Sequence, residues 1–298
     1  MAADLTVVVV ALNAPDLLPR CLEALDALAD SGLEVCVVRH WGPAGEPEAI
    51  LASRFPQVRW LSAPVDTTVP VMRSIGIGAA TGRLVALLED DCLVQPGWAD
   101  AVRRAHAGPA AAVGGAVEPG EYRHGRDWGV YFCEYGRFMP PLPETDTTDL
   151  AGMNVAYKRV ELAGHESDPA GFRDVFVHWA WASQGRTLRS STTFVVRNVN
   201  SWRGRHVTSL PYHHGRAFAG ARFAGAGLGQ RLAFAAAAAV VLPGLKTARL
   251  AAIVAGRRRH IGRFVVALPW VVLFNTAWTC GEVVGSVLGP GTSAAQWR

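Results

Sequence analysis

Three consecutive carboxylates, Glu89, Asp90 and Asp91, close an apolar run that begins at Leu84 and is followed at once by Cys92. Like charges stacked at a strand end give a fold no stability of their own. Hard oxygen ligands select Mg2+ or Mn2+ over softer metals. A cation held by one or two carboxylates keeps positions open for the phosphates of a nucleotide diphosphate, and it neutralises the charge that develops on that leaving group. The alternative is a solvated acidic turn that caps the next helix. A second cluster, His213-His214-Gly215-Arg216 with Arg222 after it, offers bidentate phosphate contacts to a donor or a lipid carrier, or else a solvated basic face. Tyr135, Arg137 and Met139-Pro140-Pro141 suit an acceptor loop or plain packing.

The elements that must position these residues follow from periodicity. Leu5 to Leu12 is a nearly unbroken apolar run, as expected of a strand buried on both faces of a parallel sheet. Asn13 and Pro15 offer helix-start chemistry, after which Leu18, Cys21, Leu22, Leu25 and Leu28 recur at helical spacing. Further strands at Leu33 to Val38, Val58 to Leu61 and Leu84 to Leu88, with a helix at Met72 to Ala80, give the alternation of an α/β sheet. In such sheets ligands collect beyond the carboxyl ends of the strands. Asn13, Arg39 and Glu89 to Asp91 stand there. The stretch from Glu118 to Asp149 reads as a long, partly irregular connection.

Length and composition bound the rest. A chain of 298 residues, 50% apolar, can bury a full core and carry an appendage. Its charge of +4 comes with arginine far outnumbering lysine, which suits phosphate-bearing ligands or an anionic surface. No zinc-finger spacing, basic heptad or aromatic-rich RNA-binding strand supports nucleic acid as a partner. Five scattered cysteines form neither a disulfide framework nor a zinc site, and no basic leader precedes the first apolar run. A reducing cytosolic setting is expected. From Leu232 the composition shifts. Leu232 to Leu245 is an uncharged run of 14 residues broken by Pro243-Gly244, and Phe264 to Cys280 is one of 17 containing Pro269, with Arg257, Arg258, Arg259 and Arg263 between them. Both fall short of, or at the edge of, the ~20 residues that a spanning helix needs. The expectation is therefore a catalytic domain over residues 1–230 and a membrane-associated helical region over 231–298. Its helices would lie in the interface or re-enter, with the arginines at lipid headgroups.

Val7 to Asn13, then Pro70-Val71-Met72-Arg73-Ser74-Ile75-Gly76-Ile77 with Ala80-Thr81-Gly82, then Glu89-Asp90-Asp91 before Pro96-Gly97-Trp98, resemble a family-2 glycosyltransferase of the GT-A fold. The resemblance covers most of residues 5 to 200. It implies an α/β nucleotide-sugar-binding domain and a nucleotide-sugar donor assisted by Mg2+ or Mn2+. Arg73 then sits near the donor phosphates, Asp91 ligates the metal, and Glu89, in place of the usual first aspartate, reaches the ribose or the metal. Asn13, Arg39 and Asp90 complete the donor side. Leu150 to Arg159 is similar to the acceptor-side segment, with Gly152 and Asn154 before a short helix. Read without the family it is a helix start with Asn154 near the cap. Arg173-Asp174, about a dozen residues before Gly185, matches the family's base motif. The base role falls on Asp174, with a helix N-cap as its other reading.

Departures from the family are specific. Arg39 stands where an aspartate commonly reads the nucleotide base, and Arg cannot accept that hydrogen bond. Arg173 replaces an acidic residue. Asn198 and Asn200 follow the strand Thr193 to Val196 where a metal-binding histidine is frequent. The resemblance implies an inverting transferase acting on a lipid-linked or membrane-proximal acceptor at the cytoplasmic face of the cell membrane. Two other classes compete: a nucleotidyltransferase, which would want a glycine-rich loop that Ala11 to Pro15 lacks, and a membrane scaffold that has lost catalysis.

Overall fold

The first apolar run becomes β1 (Leu5–Ala11), every residue of it buried, as a strand covered on both faces must be. Val7, Val8 and Val9 have no exposed surface, and each such side chain contributes about 1.5–3 kcal/mol relative to leaving it in water. The computed structural model describes residues 3–12, 16–28, 32–40, 46–199, 202 and 204–296. After β1 come α1 (Leu17–Asp26), β2 (Leu33–His40), α2 (Glu46–Arg54), β3 (Arg59–Ala63), α3 (Val69–Ala79) and β4 (Leu84–Glu89). This is the alternation expected from periodicity, with α2 added between β2 and β3, where no helix was expected. A short β5 (Cys92–Val94), α4 (Trp98–Ala105), β6 (Ala112–Pro119), α5 (Gly125–Tyr135), β7 (Asn154–Lys158), α6 (Asp174–Ser183) and β8 (Leu188–Asn198) follow.

The described strands form one sheet in the order β3-β2-β1-β4-β7-β6-β8-β5. β3, β2, β1 and β4 run parallel, and β7 is antiparallel to both β4 and β6. Strand direction thus changes beside β4, whose carboxyl end carries the acidic motif. Two sequence expectations are corrected here. Asn154 opens a strand, β7, and the helical turn comes only at Arg159–Leu162; Val155, Ala156 and Tyr157 are fully buried, so packing between β4 and β6 decides the conformation. The segment 118–149 is not an irregular connection throughout, since it contains the 11-residue α5.

The chain divides into two compact units, residues 1–120 with 138–200, and residues 121–137 with 201–298. The compositional boundary at 231 falls inside the second unit, which also includes α5, α7 (His206–Arg222), α8 (Leu228–Arg257) and α9 (Ile261–Leu288). α8 and α9 run unbroken through Pro243 and Pro269 for 30 and 28 residues, about 40–45 Å each. The runs are therefore longer than their uncharged cores suggested, because proline is tolerated inside helices in apolar surroundings. Both are long and apolar enough to cross a membrane, with mean hydropathy 1.6 and 1.5. Only 17% and 39% of their most apolar windows are buried, so Val240, Val241, Val265, Val266 and Val272 face outward. Within this unit α7 and α9 meet backbone to backbone: a Cβ at Gly215 would overlap the carbonyl of Trp278, and one at Gly281 would overlap that of Tyr212. At the turn between α8 and α9, Arg257 donates to the carbonyls of Gly136 and Arg137, and the Arg263 guanidinium lies 5.7 Å from the Trp128 ring centre.

Candidate active site

Glu89 is the last residue of β4, so the chain delivers a carboxylate directly to the strand's carboxyl end. α3 brings a cation to the same place. A Cβ at Gly76 would overlap Val8 of β1, so the helix lies flush on the sheet. Arg73, three residues earlier and on the same helical face, is buried. Its Nη2 lies 3.2 Å from Glu89 Oε1 and its Nη1 lies 3.1 Å from Asp174 Oδ1. Burial alone would lower the pKa of this guanidinium. The Asp174 and Glu89 carboxylates outweigh that and hold it above the ordinary arginine value.

Asp174 is the first residue of α6, with Arg173 in the cap position. Its side chain therefore serves the Arg73 ion pair, and no side-chain hydrogen bond caps the helix. A carboxylate in a first turn is also favoured by the helix dipole. The helix ends before Gly185, whose φ of 78° places it in the left-handed region. Gly152 closes the site. A Cβ there would overlap Asp174 Oδ2 and lie 3.2 Å from Arg73 Nη2, so a side chain at this position would displace the carboxylate.

Asp91 is almost fully buried beside its neighbours. Burial first, then the charges of Glu89 and Asp90, push its carboxyl up to about 7, against hydrogen bonds from Cys92 and Asn198 that favour the ionised form. Asn198 ends β8 and is paired in register with Cys92 of β5, which fixes a neutral amide beside Asp91. Among the described residues no group of three or more His, Cys, Asp or Glu side chains could hold a metal ion by itself. A cation bound at Glu89 and Asp91 would therefore need further oxygens from a phosphate ligand or water.

Other expected site residues fall variously. Asn154 is fully buried; its Oδ1 accepts from Trp98 Nε1 at 3.0 Å, and its Nδ2 donates to the carbonyls of Ala116 and Phe194. Its amide knits β6, β7, β8 and α4 together. Arg39 lies in β2 opposite Ala11 of β1, at the carboxyl ends of both strands. Asn13 and Asn200 lie outside the described residues. His214 and Arg216 belong to the helical unit, where His214 Nδ1 lies 3.5 Å from Glu134 Oε1 and Arg216 donates to the carbonyl of Gly289.

A buried pair beside the site was missed in the sequence. Tyr157 of β7 and His178 of α6 share a hydrogen bond of 2.8 Å. Burial lowers the pKa of His178 to about 4, despite the opposing charge of Asp174 one helical turn earlier, so the ring is neutral at pH 7. The only hint was the position of His178 four residues after Asp174. Its partner lies 21 residues away on a strand read as a helix.

The family model described as Glycosyl transferase family 2 matches residues 6–160. Succinoglycan biosynthesis protein ExoO of Rhizobium meliloti (strain 1021) is 37% identical over 103 residues, 34% of this chain and 28% of that protein. The chain thus spans little more than a quarter of that relative. Among solved structures, the mannosyltransferase PcManGT from Pyrobaculum calidifontis, in complex with GDP-Man and Mn2+, superposes with a TM-score of 0.58 at 18% identity. The match covers 97% of this chain and 88% of the other, a likeness of fold.

Proposed function

The chain belongs to glycosyl transferase family 2, and from that premise we propose that it is an inverting transferase moving a sugar from a nucleotide-diphosphate donor to a hydroxyl of a lipid-linked or membrane-proximal acceptor. The observation that carries this reading is the convergence of Glu89, Arg73, Gly152 and Asp174 at the carboxyl end of β4. Two carboxylates and a guanidinium in one cluster support that reading, with Glu89 on the donor side, Arg73 toward phosphate and Asp174 as the base.

The acceptor oxygen attacks the anomeric carbon as the bond from that carbon to the diphosphate oxygen breaks, and the electron pair leaves with the diphosphate. Asp174 takes the hydroxyl proton. One displacement inverts the anomeric centre; a retaining route through a covalent intermediate would require a second carboxylate as nucleophile. The Arg73 fork suits the donor phosphates, and Glu89 reaches the ribose or shares the metal. Asn13, Arg39 and Asp90 complete the donor side, and Gly152, lacking a side chain, lets Asp174 keep the position from which it would take the acceptor proton.

Asp91, with Glu89, fits a divalent cation. The donor set is all oxygen; burial first and then the charges of Glu89 and Asp90 push Asp91 up to about 7, and a cation would relieve the part that comes from those charges. Bound there, Mg2+ or Mn2+ would offset the charge that develops on the diphosphate.

The outward apolar faces of α8 and α9 and the arginines at their turn support association with the cytoplasmic face of a membrane, where a lipid-linked acceptor would be met. The relative's printed role in succinoglycan biosynthesis supports a cell-envelope glycan as product. His214 and Arg216 are proposed to contact phosphate or lipid from the helical unit.

The test is thermal stabilisation of detergent-solubilised protein by nucleoside diphosphates and their sugars, with and without Mn2+. GDP-mannose comes first because the structural neighbour holds it. Selective binding to the native state must raise Tm. A Mn2+-dependent rise with one nucleotide is expected; no rise with any of them would overturn the donor assignment.

A further inference from the structure

Arg73 is shared. Nη1 meets Asp174 at 3.1 Å and Nη2 meets Glu89 at 3.2 Å, so the two ends of one planar fork face two different carboxylates. Little slack exists around it. The Arg73 side chain is 9% exposed, α3 is pressed against β1 at Gly76, and the backbone of Gly152 approaches both Arg73 and Asp174. A diphosphate is a better bidentate partner for a guanidinium than two single contacts to separate carboxylates. A diphosphate that grips the same Nη1 and Nη2 edge of Arg73 draws it from the two carboxylates already holding that fork.

We propose that Asp174 and the donor diphosphate compete for Arg73, so that donor binding draws the guanidinium away from Asp174 and frees the base. This rests on the nucleotide-sugar reading above and adds a coupling within the same site. A base tied to Arg73 has one oxygen committed to a charge-assisted contact. Once the diphosphate holds Arg73, that oxygen can receive the acceptor proton. Arg73 is then the residue through which the donor side of the site informs the acceptor side.

The competition has a sign that a purely orienting role lacks. If Asp174 merely holds Arg73 in place for phosphate, removing the carboxylate weakens nucleotide binding. If the two compete, removing it strengthens binding. Asp174→Asn keeps the side-chain shape and deletes the charge. GDP and UDP, each with Mn2+, are titrated calorimetrically into wild type, Asp174→Asn, Arg73→Met and the double variant, with the melting temperature of each unliganded protein recorded. The expected result is binding about fivefold tighter in Asp174→Asn, an effect that disappears in the Arg73→Met background. Weaker or unchanged binding in Asp174→Asn overturns the competition. Tightening that persists in the Met background does so too, because it would be through-space repulsion between carboxylate and diphosphate.

Should Arg73→Met fail to fold, Arg73→Lys replaces it. One ammonium lacks the fork, and a gain from Asp174→Asn as large as in the arginine background overturns the proposal. If neither nucleotide binds wild type, the donor reading itself falls and the competition with it. Binding without coupling through Arg73 removes the competition alone.

Discussion

Two clusters of buried charge in this protein differ in balance. In the helical unit Lys246 Nζ lies 3.1 Å from Glu282 Oε1, the same oxygen accepts from Trp278 Nε1 at 2.7 Å, and the ammonium sits 4.8 Å from the Trp278 ring centre. One cation meets one carboxylate, and an aromatic ring serves both. In the α/β unit Arg73 is divided between Glu89 and Asp174, while Asp91 is pushed up to about 7 by burial first and then by the charges of Glu89 and Asp90. The first cluster is satisfied from within. The second is rich in negative charge and gains from an added cation and from a phosphate that occupies Arg73. That imbalance of charge distinguishes a site built for a ligand from a pair built for packing.

The comparison can be broken by substitution, beginning with the largest expected effect. Asp174→Asn should lower the turnover of nucleotide-sugar by about 10²–10⁴-fold, measured as nucleotide release, with the protein still folded. Gly152→Ala comes next. Its new methyl group overlaps Asp174 Oδ2, so turnover should fall by about 10²-fold through misplacement of the base, and initial rates at saturating donor would read that loss.

The third prediction concerns pH. A carboxyl raised to about 7 is protonated below that value, and a metal must displace the proton. Mn2+ affinity should therefore fall about tenfold per pH unit below 7 and level off above it, as read by Mn2+ titration at pH 6 and pH 8. Flat affinity across that range would remove Asp91 from the metal site. In the helical unit, Lys246→Met should cost about 2–3 kcal/mol of stability by leaving Glu282 without its cation. Nucleotide affinity should stay as it was. Adding Glu282→Gln should recover most of the loss, since Gln still accepts from Trp278; thermal melts of the three proteins check this.

The parallel half of the sheet was legible because β1 to β4 are apolar runs of strand length, whereas β5 and β6 went unplaced and β7 was read as a helix start. β1 to β4 fall within two residues of where periodicity places them. The acidic motif was legible as chemistry at a strand end; Arg73 and Asp174 were singled out only through the family resemblance, and the structure brings them to Glu89. What escaped was whatever depends on contacts distant in sequence. Asn154 looked like a cap residue, yet the strands and helix gathered around it use both ends of its amide. Tyr157 and His178 become a pair only once β7 and α6 pack together. Pro243-Gly244 suggested a break, but Pro243 does not end its helix, nor does Pro269.

The most direct test of the central claim compares wild type with Asp174→Asn in one assay: release of nucleoside diphosphate from a nucleotide-sugar that both proteins bind, with Mn2+ present and the anomeric configuration of the product followed by NMR. The account predicts an inverted product from wild type and near-background release from a variant that still binds the donor. Near-normal release from Asp174→Asn, or a product of retained configuration, would contradict it.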